Sequence, residues 1–132
     1  MIAADVMTND PRTVRVNDSI GEAWQVFREL DIRHVPVVND DGDLVGILSD
    51  RDLSGRTRES LPVSTLRVAD VMSGSVVAVN PQTDLREVIE ALLEHRIGAI
   101  PVVDGESKVV GIISYVDVLR SFDRAIVEAT AP

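Results

Sequence analysis

Apolar residues recur at helical spacing in two stretches 65 positions apart: Ile20, Ala23, Trp24 and Phe27, then Leu85, Val88, Ile89 and Leu92. An i, i+3, i+4, i+7 recurrence places four side chains on one face. The spacing therefore predicts two amphipathic helices with one stripe in one register, each covering a similar surface. Each has a start signal: Ser19-Ile20-Gly21-Glu22 reads as a capping box, and Asp84-Leu85-Arg86-Glu87 fills the same place. Extended segments at Thr13 to Val16 and Val76 to Val79 precede the helices. Short apolar runs follow them. Val35 to Val38 and Leu44 to Leu48 flank Asn39-Asp40-Asp41-Gly42-Asp43, while Ile100 to Val103 and Val109 to Ile113 flank Asp104-Gly105-Glu106-Ser107-Lys108. Turn residues between two apolar runs predict hairpins. Pro36 and Pro101 have no N–H to donate, so they belong near a strand start or on an edge.

The likeness of the two stretches extends to the letters. Shifted by 65, Ala4 to Asp52 overlays Ala69 to Asp117 without a gap, and sixteen of those 49 positions are identical. The chain is thus read as a duplicated β-α-β-β-α unit. Ala4-Asp5-Val6-Met7, a short turn, returns as Ala69-Asp70-Val71-Met72, and Pro36-Val37-Val38 returns as Pro101-Val102-Val103. Gly46-Ile47-Leu48-Ser49-Asp50-Arg51-Asp52 returns as Gly111-Ile112-Ile113-Ser114-Tyr115-Val116-Asp117. In this last motif an apolar run stops at Ser and passes into a helix start that holds the Asp. Ser-x-x-Asp is a capping pattern that needs no ligand. The same helix start offers orphan N–H groups and the positive dipole end, which suit a phosphate, and a Ser hydroxyl can accept from the backbone while donating to a phosphate oxygen. Gly46 and Gly111 favour a site, since Gly inside a strand marks close approach of a ligand or another backbone.

With two Phe, one Tyr and one Trp in 132 residues, the core must come from Val, Ile, Leu and Ala, which suits sheet faces covered by helices. The repeats are expected at residues 3–54 and 68–120, joined by a polar linker at 55–67. Beyond Asp117, Val118, Leu119, Phe122 and Ile126 continue a helix into an acidic tail at 121–132. That stripe has no counterpart in the first copy, which suggests docking on a neighbouring subunit. The formal charge of −9, from 22 acids and 13 bases, argues against nucleic acid and anionic lipid as partners. The densest basic stretch, Arg51 to Arg58, is interrupted by Asp52 and reads as a solvated connector. Absence of cysteine excludes disulfides and thiolate metal sites. No apolar run approaches the ~18 residues of a membrane span, and Met1 to Asp5 has no leader character, so a cytoplasmic protein is expected. His34 and His95 are the only histidines. His34 precedes a strand, His95 lies near a helix end, and no nucleophile and base, P-loop or dinucleotide fingerprint accompanies them, so no enzyme is expected.

Taken together, the duplicated Asp-Val-Met opening, the Pro-Val-Val strand and the Gly-Ile-(Leu/Ile)-Ser-x-x-Asp turn make the chain resemble a tandem pair of cystathionine β-synthase (CBS) domains from Ala3 to Leu119. The resemblance implies an α+β fold of two β-α-β-β-α repeats about a pseudo-twofold axis, leaving two clefts, with two chains pairing into a disc-like homodimer. It implies a regulatory module with no required cofactor, whose ligand is an adenosine nucleotide (AMP, ADP or ATP) or S-adenosylmethionine. By the same resemblance Asp52 and Asp117, in the turns that also hold Gly46, Ile47, Gly111 and Ile112, take the ribose hydroxyls, and Ser49 and Ser114 take phosphate. The cleft of Asp117 is then walled by Asp10 to Thr13 and by Ile32, Arg33 and His34. That of Asp52 is walled by Ser75 to Val77, including Val76, and by Ile97, Gly98 and Ala99. Arg33 and His34 supply cations for a di- or triphosphate in the first cleft, and only Arg51 stands near the second. The Asp117 cleft is therefore expected to be the better nucleotide site, although Asp10 and Arg12 stand where smaller residues would make the easiest adenine wall. The competing readings are a solvated strand edge for Arg33 and His34, and a dimerisation or partner-docking scaffold with empty clefts for the whole chain.

Overall fold

The computed structural model describes residues 1–56 and 66–131. Of the linker expected at 55–67, residues 57–65 lie outside that description. The elements are α1 (Ala3–Val6), β1 (Thr8–Asn9), β2 (Val14–Arg15), α2 (Ile20–Leu30), β3 (His34–Val38), β4 (Leu44–Ser49), α3 (Asp50–Arg56), α4 (Val68–Val71), α5 (Leu85–Glu94), β5 (Ala99–Val103), β6 (Val109–Ser114) and α6 (Tyr115–Thr130).

The predicted helices and hairpins form as two matching halves. Ser19 Oγ accepts from Glu22 N at 3.1 Å and starts α2, which buries Ile20, Ala23, Val26 and Phe27. Asp84 starts α5 differently from the expected box, accepting from Arg86 N at 2.8 Å, and α5 buries Leu85, Val88 and Leu92. Trp24 and Ile89, placed on the stripe by spacing, lie only partly buried at its border. The hairpins β3–β4 and β5–β6 share one register: His34 opposes Ser49 as Ala99 opposes Ser114, and each slips once, at Val37/Val38 and Val102/Val103. Both prolines sit third in their strands. Val79 N–H donates to Pro101 O at 3.1 Å. A residue's nitrogen and carbonyl face the same side of a strand, so the missing donor of Pro101 costs no β6 bond.

The halves are interlocked, which the repeat pattern did not predict. One core joins Val14, Ile20, Phe27, Val35, Val37, Leu48 and Leu53 to Val68 and Val71 of α4. The other joins Leu85, Val88, Leu92, Ile100, Val102, Ile113 and Val118 to Ala3 and Val6 of α1. Each short opening helix therefore buries its apolar side in the opposite half, where a Val side chain stabilises by roughly 1.5–3 kcal/mol. Backbone bonds hold the exchange: Ala3 N–H to Thr83 O at 2.8 Å and Ala4 N–H to Pro81 O at 3.0 Å, matched by Val68 N–H to Asp18 O at 2.9 Å and Ala69 N–H to Val16 O at 3.0 Å. The repeated Asp closes each opening turn, Asp5 on Ile2 N and Asp70 on Arg67 N, both at 2.8 Å.

The chain then continues onto the other sheet, so the strand orders are β1-β6-β5 and β2-β3-β4. Thr8 opposes Ile112 and Asn9 opposes Gly111, while Ser73 makes the equivalent single bridge to Ile47. The extended segment expected at Val76 to Val79 is reduced to one bridge, Val79 to Val102. The helix expected beyond Asp117 is α6, which runs unbroken to Thr130. Val118 leaves the predicted stripe for the core, while Leu119, Phe122 and Ile126 stay exposed.

Candidate functional site

Asp117 lies in the first turn of α6, half-buried, and Ser114 fixes one of its oxygens. Ser114 N–H donates to Asp117 Oδ2 at 2.8 Å and Ser114 Oγ donates to the same oxygen at 3.1 Å, while that Oγ accepts from Asp117 N at 3.3 Å. The hydroxyl is thus engaged on both sides by the cap. Among the described residues, Oδ1 meets only Thr8 Oγ1, at 3.4 Å. Asp52 repeats the cap: Ser49 N–H donates to Oδ2 at 2.8 Å and Asp52 N–H to Ser49 Oγ at 3.2 Å.

Asp117 lines a cavity of about 630 Å³. The exchange of β1 onto β6 explains it, because it carries residues 8–12 over Ile112, while the starts of β3 and β5 bring in residues 30–34 and 98–99. The apolar part of the wall includes Leu30, Ile32, Ala99, Ile112, Tyr115 and Val116. Its charged part holds Arg12, Arg33 and Arg120 with Asp10, Asp31 and Asp117. Arg33 is already shared, its Nη1 lying 3.2 Å from Asp50 Oδ2. Among the described residues, Arg12 and Arg120 have no carboxylate partner.

His34 also lines the cavity, pressed against Gly98: a Cβ at Gly98 would stand 2.6 Å from its Cε1. Burial lowers its pKa below the ordinary 6.5 against the opposing pull of Asp50 and Asp52. The expected cation at His34 is thus a mostly neutral imidazole at pH 7, a hydrogen-bonding group and no counter-charge.

Several expected site residues stand elsewhere. Gly46 and Gly111 face methionines from the opposite half in place of a ligand: an added Cβ would lie 2.6 Å from Met72 Sδ at Gly46 and 2.9 Å from Met7 Cγ at Gly111. Their freedom from a side chain serves the exchanged turns. Gly98 and Ala99, expected to wall the Asp52 cleft, line the Asp117 cavity. Ile97, Val76 and Arg51 were expected at the Asp52 cleft; Ile97 packs on the second core, Val76 is half-buried and Arg51 exposed. Ile47 is tied to Ser73 by two backbone bonds of 3.0 Å. Sequence reasoning missed Arg120 and Tyr115. The signal for Arg120 was its place three residues after Asp117, on the same helix face. Tyr115 gave none, since its hydroxyl acts on another element, donating to Leu92 O at 3.2 Å.

A family model described as CBS domain matches residues 3–57 and again 68–124. The CBS domain-containing protein YhcV of Bacillus subtilis is 34% identical over 113 residues, which cover 86% of this chain and 79% of that protein. The chain spans only 23% of the first curated relatives that it matches, among them the inosine-5'-monophosphate dehydrogenase of Methanocaldococcus jannaschii, 33% identical over 118 residues and 89% of this chain. Among solved structures, the CBS domain pair of protein MJ0100 in complex with 5'-methylthioadenosine and S-adenosyl-L-methionine has a TM-score of 0.87 at 26% identity, covering 95% of this chain and 98% of that one. CBSX2 of Arabidopsis thaliana in complex with AMP has a TM-score of 0.82 at 29% identity, covering 94% and 97%.

Proposed function

The chain belongs to the CBS domain family, and from that premise we propose that it is a regulatory module, without catalysis of its own, that senses an adenosine nucleotide in the cavity of Asp117. The observation that carries this reading is the unequal use of the two Asp117 oxygens. Ser114 holds Oδ2, while Oδ1 has, among the described residues, only the long contact to Thr8. A carboxylate so fixed can accept from the cis hydroxyls of a ribose, each charge-assisted bond being worth about 1.5–3 kcal/mol. The base then lies on Ile32, Ile112 and the neighbouring apolar wall. Ser114 acts in this reading by orienting Asp117, its hydroxyl hydrogen being used already. That a CBS pair of similar fold was solved with AMP, and another with S-adenosylmethionine and methylthioadenosine, supports an adenosine ligand. Asp52, with the same cap and fewer cations nearby, is the weaker second site.

The exposed row Val116, Leu119, Phe122 and Ile126 on α6 favours a second role, association with another copy of the chain to form a homodimer. No helix among the described residues is long and apolar enough to cross a membrane, and the acidic composition leaves the cytoplasm as the proposed location.

Calorimetry and thermal shift against AMP, ADP, ATP and S-adenosylmethionine test the reading. Submillimolar binding, with a ligand at 100 times Kd adding about 2.7 kcal/mol to stability, is expected. Failure of all four to bind, with Asp117→Ala melting unchanged in their presence, would overturn it.

A further inference from the structure

We infer that the Asp117 cavity selects adenosine ligands carrying two or more phosphates over AMP and S-adenosylmethionine, and that Arg120 and Arg12 set this preference. The inference rests on the adenosine reading above and adds the class of ligand.

Three observations converge. First, some cations among the described residues are already neutralised by a carboxylate: Arg86 pairs with Glu90, Lys108 with Asp43 and Arg33 with Asp50. Arg12 and Arg120 do not, and they reach one cavity from separate elements, the β1–β2 connection and α6. A guanidinium presents a fork of N–H donors that matches phosphate oxygens in pairs.

Second, the arginines break the internal symmetry. By the shift of 65 that aligns the copies, Arg12 corresponds to Val77, Arg33 to Gly98 and Arg120 to Gly55. All three guanidiniums belong to one cleft, while the capped aspartates Asp52 and Asp117 belong to both. The ribose-accepting group is thus common to the twin sites and the phosphate-accepting groups are peculiar to one.

Third, the space continues past Asp117. Asp117 and Arg120 also line a neighbouring hollow of about 330 Å³ with Val6, Asp123 and Arg124. A phosphate chain leaving a ribose at Asp117 has room beside Arg120, with Arg124 one further turn along the same face. The cavity's own acids oppose a bare anion. Asp10 and Asp31 sit on left-handed turns at φ 46° and 50°, and with Asp117 they balance the three arginines in formal charge. Selection here comes from paired guanidinium contacts and grows with the number of phosphates. A sulfonium gains nothing from them.

Calorimetry on the full chain with adenosine, AMP, ADP, ATP and S-adenosylmethionine decides. ADP and ATP should bind at least about tenfold more tightly than AMP or S-adenosylmethionine, a difference of about 1.4 kcal/mol. Arg120→Ala and Arg12→Ala should each weaken ATP by about tenfold and AMP by under about threefold, Arg120→Lys should recover part of the loss, and added salt should weaken ATP more than AMP. Circular dichroism melts verify that these surface variants fold. Equal affinity for AMP and ATP, S-adenosylmethionine binding as tightly as ATP, or indifference of the arginine variants overturns the preference while leaving the adenosine reading in place. If adenosine and all four other compounds fail to bind, both fall together.

Discussion

Asp43 and Lys108 hold the same place in the two copies and meet, Lys108 Nζ lying 2.6 Å from Asp43 Oδ1. Equivalent residues can touch only where a pseudo-twofold axis passes between them, so the axis runs between the β3–β4 and β5–β6 turns. There Leu44 N–H also donates to Ser107 O at 3.1 Å. Identical charges at this position would repel across the axis, so the copies must differ here. The hydrogen bond to Asp43 raises the pKa of Lys108, with Asp41 and Glu106 adding to it. Lys108→Asp should therefore lower the melting temperature, and the exchange Asp43→Lys with Lys108→Asp should recover most of the loss. A double variant that melts no higher than Lys108→Asp alone would show that the pair contributes nothing as a pair.

Met7 and Gly111 define the interlocking of the halves, and Met72 and Gly46 repeat it. Gly111→Ala sets a methyl against Met7 and should cost about 1–3 kcal/mol, the usual penalty for overpacking. Met7→Ala removes the obstruction, so the double variant should be less destabilised than the sum of the singles by about 1 kcal/mol. Urea denaturation of the four proteins measures the coupling. Strict additivity would mean that the two residues do not compete for one space.

The helix stripes and both hairpins were legible in the sequence because each is a local pattern: a 3.6-residue stripe, an Asp/Gly turn, a cap. The exchange of the opening turns was not. Ala4-Asp5-Val6-Met7 reads as the same short turn whichever core receives Val6, and only the packed structure shows that the receiver lies far along the chain, at Leu85 and Ile113 among others. The site divided the same way. Asp117 and Ser114 stood out by motif, and Gly111 stood out for a reason that proved to be Met7. Arg120 carries no motif and acquires meaning only through the helix turn that it shares with Asp117.

Burial of His34 against Gly98 makes folding sensitive to acid. Its folded-state pKa lies below 6.5, so between those two values the unfolded chain binds a proton that the folded chain does not. The sign follows: stability is intact above pH 6.5, falls as the pH drops through that window, and stays lower beneath it. His34→Gln should therefore melt with a smaller loss between about pH 7.5 and 5.5 than the parent chain. Parallel losses in both proteins would clear His34 and leave the acid sensitivity to other groups.

The row on α6 bears on association. Leu119, Phe122 and Ile126 are 66%, 48% and 63% exposed, although α6 is amphipathic and its other side enters the core through Val118. If a second copy covers this row, Leu119→Glu with Ile126→Glu should shift sedimentation of the parent dimer to the monomer without lowering the helical circular dichroism signal. A parent chain that sediments as a monomer at about 100 μM, far above an ordinary dimer Kd, would remove the homodimer from the proposal.

Capping and binding at Asp117 can be separated by changing the acid in two ways. Asn keeps an oxygen able to accept from Ser114 N–H, whereas Ala keeps nothing. Asp117→Ala should cost about 0.5–2 kcal/mol of stability through the lost cap and also lose nucleotide affinity. Asp117→Asn should cost much less stability, yet weaken the nucleotide by tenfold or more, because a neutral amide gives up the charge-assisted bonds to the ribose. Asp52 has the matching backbone bonds, 2.8 Å and 3.2 Å against 2.8 Å and 3.3 Å at Asp117, so Asp52→Ala supplies the control, losing comparable stability while the tighter nucleotide site keeps its affinity. Denaturation and calorimetry on the three variants read the two quantities independently. Should Asp117→Asn bind nucleotide as the parent chain does, the carboxylate serves the helix alone and the ribose is held elsewhere.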